Sequence, residues 1–147
     1  EGIHLGNMGD ALVRLARLDE AEPVFRQAIL ISDDTWPTAA GAFRGSLGLL
    51  LAHLGREDEA QHLINAGEEQ VMSDTEEYVK FLCKKAELCS ITGHEQGMRS
   101  ALKQARRLLS ESSLRTDRGV SQTLQDSEAL LLGLASSKPQ LDPIDAE

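Results

Sequence analysis

"LGREDEA", Leu54 to Ala60, decides how this chain is read. Thirty-nine residues upstream stands "LARLDEA", Leu15 to Ala21. Each stretch ends an apolar pattern and restarts one on an acidic, alanine-containing step. A glycine just past a helix takes the left-handed conformation that closes it, and early carboxylates favour the positive end of the next dipole. The pattern predicts one helix ending at Gly55 and another starting at once. Asp19 and Asp58 are expected to satisfy free N–H groups at the new helix starts.

The likeness extends well beyond seven residues. Shifted by 39, Gly2, Gly6 and Gly9 meet Gly41, Gly45 and Gly48, and Leu12, Leu15 and Arg17 meet Leu51, Leu54 and Arg56. Asp19, Glu20 and Ala21 then meet Asp58, Glu59 and Ala60, making nine identities in twenty positions. A further shift of 38 finds a third copy. Gly45 meets Cys83, Gly48 meets Ala86, Leu51 meets Cys89, Gly55 meets Gly93, Ile64 meets Leu102, and Gly67 meets Ala105.

Each copy reads as two helices. The first helices are expected over about 2–15, 38–54 and 75–91, and the second over about 19–31, 58–71 and 95–110. "SDTE", Ser73 to Glu76, has capping-box spacing. "TWPT", Thr35 to Thr38, marks a link between copies. Glycine inside a helix costs about 1 kcal/mol relative to alanine. Its recurrence in register therefore points to close approach by a neighbouring helix. A seventh helix over about 116–136 carries Val120, Leu124, Leu131 and Leu134 as an apolar stripe, suited to capping a stack. Residues 138–147, polar and twice interrupted by proline from Ser136 onward, read as a loose tail.

These residues resemble the tetratricopeptide repeat. The carriers are Met8, Gly9, Leu12, Asp19, Glu20, Ala21, Phe25 and Ala28 in the first copy. In the second they are Leu47, Gly48, Leu51, Gly55, Asp58, Glu59, Ala60, Ile64 and Gly67, and in the third Leu82, Ala86, Gly93, Leu102 and Ala105. The family's repeat is about 34 residues, shorter than the period here, and its early tryptophan and closing proline are absent. The resemblance implies an all-α, right-handed α-solenoid of three antiparallel helix pairs plus a C-terminal capping helix. The domain spans 1–137, with repeats at about 1–38, 39–76 and 77–113. It also implies a non-catalytic scaffold or regulatory module that binds a protein or peptide. Long-period arrays of this kind are similar to those in bacterial multidomain signalling proteins, and the chain reads as a fragment of one.

By the same resemblance the first helices line the inner face. That face would carry Ile3, Gly6, Asp10, Val13 and Arg14, then Ala42, Gly45, Leu49, Ala52 and His53, then Lys80, Cys83, Glu87 and Ser90. It suits a helical or apolar segment, and it lacks the Lys/Asn/Arg set that clamps a peptide carboxylate. The plain alternative is bare scaffold. Gly9, Ala21, Phe25, Ala28, Gly48, Ala60, Ile64, Ala86, Leu102 and Ala105 would define the packing between helices.

Composition bounds the rest. Hydrophobic residues make up 41% of the 147, but only five are aromatic, so an aliphatic core is expected. Net charge is −9, of which −8 falls in residues 1–75. An acidic surface argues against a nucleic-acid partner. The basic set Lys80, Lys84, Lys85, Arg99, Lys103, Arg106 and Arg107 reads as a solvated face balanced by nearby acids. No apolar run reaches the roughly 18–20 residues of a membrane span. Cys83 and Cys89 fall on different helix faces, so they should not pair, in keeping with a cytoplasmic location. Four histidines lack metal-ligand spacing, and no cofactor motif is present. Trp36 reads as a packed loop residue rather than a binding anchor, although a lone exposed tryptophan could be a hot spot. Self-association through the start of the chain or through Leu130 and Leu132 is the main alternative function. A small hydrolase using His53 or Glu87 and a nucleic-acid adaptor weigh less.

Overall fold

The helix boundaries follow from three turns of one design. In a computed structural model, which describes residues 1–113 and 117–136, seven helices and no strand occur among the described residues. They are α1 Gly2–Arg14, α2 Leu18–Ser32, α3 Pro37–His53, α4 Glu57–Val71, α5 Thr75–Ile91, α6 Glu95–Glu111 and α7 Arg118–Ser136. The chain is all-α. The expected tail at 138–147 lies outside the described residues.

After α3, Gly55 has φ +78°, its N–H donates to Ala52 O, and the N–H of Arg56 donates to Leu51 O at 2.9 Å. This paired bonding closes the helix by answering two of its orphan carbonyls. Gly93 repeats it after α5, with His94 N–H donating to Cys89 O. Ala16 repeats it after α1 at φ +57°, with Arg17 N–H donating to Leu12 O. In all three turns the residue that completes the closure also caps the next helix: Arg17, Arg56 and His94.

That economy corrects two expectations. Asp19 and Asp58 do not cap. The tight turn starts each helix before them, no side-chain cap bond forms, and they contribute only favourable charge within the first turn. The capping residue before α5 is Asp74, one place beyond the expected Ser73. Its carboxylate accepts from Glu77 N–H at 3.0 Å, because Asp74 is the residue with extended backbone there.

Consecutive helices pack together: α1 on α2, α3 on α4, and α5 on α6. These couples are joined by α2 on α3, α4 on α5 and α3 on α5, while α7 lies on α5 and α6. The ten residues expected to define the packing are all buried. The core is mainly aliphatic, as expected, but it also takes in four of the five aromatic residues, Phe25, Phe43, Tyr78 and Phe81. Composition counts aromatics but does not place them. The glycines explain where the rings go. A side chain at Gly9 would strike the Phe25 ring, one at Gly6 the Phe43 ring, and one at Gly45 the Phe81 ring. Gly41 and Gly67 bring two backbones closest, the carbonyl oxygen of each 2.8 Å from where the other's Cβ would stand, and a Cβ at Gly48 would meet Ala60 O at 3.2 Å.

Candidate functional site

Three helices each turn one stripe toward a common face. On α1 the stripe is Ile3, Asn7, Asp10 and Val13. On α3 it is Ala39, Ala42, Ser46, Leu49 and His53, and on α5 Glu77, Lys80, Lys84 and Glu87. Steps of three and four keep such residues on one side of a helix. Together they line two hollows, of about 410 and 250 Å³. Asp10, Ser46 and Lys84 belong to both, so the hollows adjoin and form one groove.

The expected inner-face residues divide accordingly. Ile3 and Lys80 line the larger hollow, Val13, Leu49, His53 and Glu87 the smaller, and Asp10 both. Arg14 is exposed and lines neither. Cys83 is not on the open face: it is 5% exposed and part of the core. Gly6, Gly45 and Ala52 are likewise buried, the glycines beneath phenylalanine rings.

Lys84 occupies the centre, and sequence reasoning missed its part. Its Nζ donates to Ser46 Oγ at 2.8 Å and to Ala42 O at 3.4 Å. Burial pushes its pKa down, with Asp10 pulling the other way. Lys80 differs. Burial works against its charge, but Glu76 and Glu77, at 2.5 and 3.3 Å, hold its pKa above the usual value. The missed signal was spacing, since Lys84 stands four residues after Lys80 and three before Glu87 on one stripe. Trp36, expected to be packed, is 54% exposed at the rim of the larger hollow. It caps α3, with Pro37 as the first helical residue, and that places it ahead of the packed face.

His53 Nε2 lies 3.5 Å from Glu87 Oε1, both side chains being substantially exposed. A contact so long and open contributes little. The groove can therefore do what its lining allows, which is to cover apolar side chains along Ile3, Ala39, Ala42 and Leu49 and place a cation at mid-length.

The other candidate surfaces are more fully paired. Lys85 bonds Glu68 at 2.6 Å, Arg99 bonds Glu95, and Arg106 bonds Glu128, so much of the basic set is answered by acids. On α7, Leu130 is 57% exposed, whereas Leu132 packs partly against the core. Both cysteines are free and buried. Among the described residues no group of three or more His, Cys, Asp or Glu side chains is gathered for a metal ion, and no helix is long and apolar enough to cross a membrane. Set against protein-family models, curated proteins and solved structures, the chain matches none, so the reading of this groove rests on its own residues.

Proposed function

We propose that the chain is a tetratricopeptide-like array. Its three couples are antiparallel helix pairs stacked in a right-handed solenoid and closed by α7. It works without catalysis as the binding part of a cytoplasmic regulatory protein. The ligand is a helical or extended segment of another protein, laid across α1, α3 and α5. One observation carries this reading: two hollows from three sequence-distant helices join into a single groove with an apolar floor and a lysine at its centre. A groove on packed helices is already formed before binding, so little ordering entropy is lost there.

The test is selection of binders from a library of helical peptides, followed by two groove variants. Ala42→Trp fills the larger hollow and Leu49→Arg charges the smaller. Each is expected to weaken selected peptides at least about tenfold, near 1.4 kcal/mol, with unfolding unchanged. Selected peptides that bind both variants as tightly as the parent would show that the groove is not the site.

A further inference from the structure

Four lysines fall within the described residues, and three have ordinary settings. Lys80 bonds Glu76 and Glu77, Lys85 bonds Glu68, and Lys103 is exposed on α6. Lys84 is partly buried, and its bonds run to two neutral acceptors, Ser46 Oγ at 2.8 Å and Ala42 O at 3.4 Å. No carboxylate of a described residue lies within 4.0 Å of its Nζ. An ammonium has three N–H groups to satisfy, and a neutral amine has two. Two acceptors therefore meet the needs of the neutral amine in full and leave its lone pair free.

The amine also stands where a small molecule can reach it. Lys84 lines both hollows of the groove, and the larger has Ile3, Trp36, Ala42 and Phe43 on its walls. Its Cδ lies 3.5 Å from where a Cβ on Gly45 would stand, so the stem rests on α3. The charged groups that share the hollows are Asp10 on α1, His53 on α3, and Asp74, Glu77, Lys80 and Glu87 on or beside α5. Burial weighs most against the ammonium. Asp10, Glu77 and, once ionised, Cys83 favour it, while Lys80 one turn earlier opposes it, and the pKa ends below 10.5. A desolvated lysine beside a second cation is the setting in which an amine becomes a nucleophile.

We propose that Lys84 is a covalent capture site for a small apolar aldehyde seated in the larger hollow. The amine nitrogen adds to the carbonyl carbon as the C=O π bond opens, and one amine proton passes to the oxygen to give a carbinolamine. Loss of that hydroxyl with the second amine proton releases water and leaves a carbon–nitrogen double bond. The step needs neither oxidant nor reductant, and water reverses it. The walls supply apolar contact to the body of the aldehyde, and the bond to Ser46 Oγ holds the nitrogen in place. Capture is stoichiometric. It goes beyond the peptide reading of the groove, and either can hold without the other.

The probe is benzaldehyde with sodium cyanoborohydride, which reduces the imine to a stable benzylamine, applied to the whole chain near neutral pH. Modified lysines are located by digestion after glutamate and tandem mass spectrometry, with exposed Lys103 as internal reference. Lys84 is expected to be labelled about threefold or more faster than Lys103, because more of it is neutral amine, although lower basicity takes back part of the gain. The advantage should vanish as the pH is raised and Lys103 also loses its proton, and it should vanish in guanidinium chloride. Excess benzyl alcohol, which fits the same walls but has no carbonyl, should slow Lys84 and leave Lys103 unchanged. Labelling of Lys84 no faster than Lys103 overturns the proposal. So does an advantage that survives high pH, guanidinium chloride or benzyl alcohol, because the reaction would then owe nothing to this amine in this hollow.

Discussion

At Ala16 the chain uses an L-residue where its two sister turns use glycine. The left-handed region costs an L-residue about 1–2 kcal/mol. Glycine avoids that cost but gives back about 0.4–1 kcal/mol through the freedom it adds to the unfolded chain. Ala16→Gly is therefore expected to stabilise the fold by roughly 0.5–1 kcal/mol, and Gly55→Ala to destabilise it by about 1 kcal/mol. No atom lies within 4 Å of a Cβ placed on Gly55, so its loss would come from the backbone alone. Urea unfolding should show opposite midpoint shifts at unchanged slope. These turns were legible in the sequence, because Gly55, Gly93 and the repeated text after them are local signals. The caps were less so. Asp19 and Asp58 are good capping residues by type, but the bonding of Arg17 and Arg56 into the preceding helix settles where the next one begins.

Among the elements, α3 and α5 each touch four others, and α5 ties the last two couples to the final helix. It packs on α3, α4, α6 and α7. One hydrogen-bonded chain spans three of them: Tyr78 OH donates to Glu68 Oε1 of α4 at 3.1 Å and accepts from Gln104 Nε2 of α6 at 2.8 Å. Glu68 also accepts from Lys85 at 2.6 Å. Tyr78→Phe keeps the buried ring and removes the hydroxyl. It is expected to cost about 1–2 kcal/mol, read as a lower urea midpoint. An outcome within about 0.3 kcal/mol of the parent would mean that water replaces the hydroxyl at no cost. The element pattern was readable from periodicity, whereas this cross-link was not. Tyr78, Glu68 and Gln104 lie on three different helices, and no spacing rule connects them.

At the scale of the whole molecule, pH acts through groups whose pKa values the fold has moved. Glu22, held down by Arg26 and Arg56 against some burial, and Asp33, held down by Arg44 and Gln70, contribute stability that is present above their unfolded values near 4. That stability is lost as pH falls through their lower folded values. Lys84 acts at the other end. Its folded pKa lies below 10.5, so between that value and 10.5 the unfolded chain binds more protons and stability rises with pH. As pH rises toward 10.5, thermal midpoints of the parent should gain on those of Lys84→Met, which keeps the stem packed over Gly45 without the charge. Equal slopes in the two proteins would show that Lys84 stays charged and solvated. The groove itself was half readable. The stripes on α1, α3 and α5 follow helical spacing, but the setting of Lys84 exists only once Ser46 and Ala42 of α3 stand beside it.

Arg17, Arg56 and His94 finish one helix and begin the next in a single residue, and this leaves the turns no slack. Adding one residue there would rotate the following helix by about 100° and swing its buried side away from its companion. The spacing of the three turns agrees. From Ala16 to Gly55 is 39 steps and from Gly55 to Gly93 is 38, yet α2 and α4 have 15 residues each and α3 and α5 have 17 each. The missing residue falls in the connections, four residues at 33–36 against three at 72–74. Across these two steps the single-residue difference is thus taken up at the joint between couples, while the helices that meet at each tight turn hold their register as one hairpin.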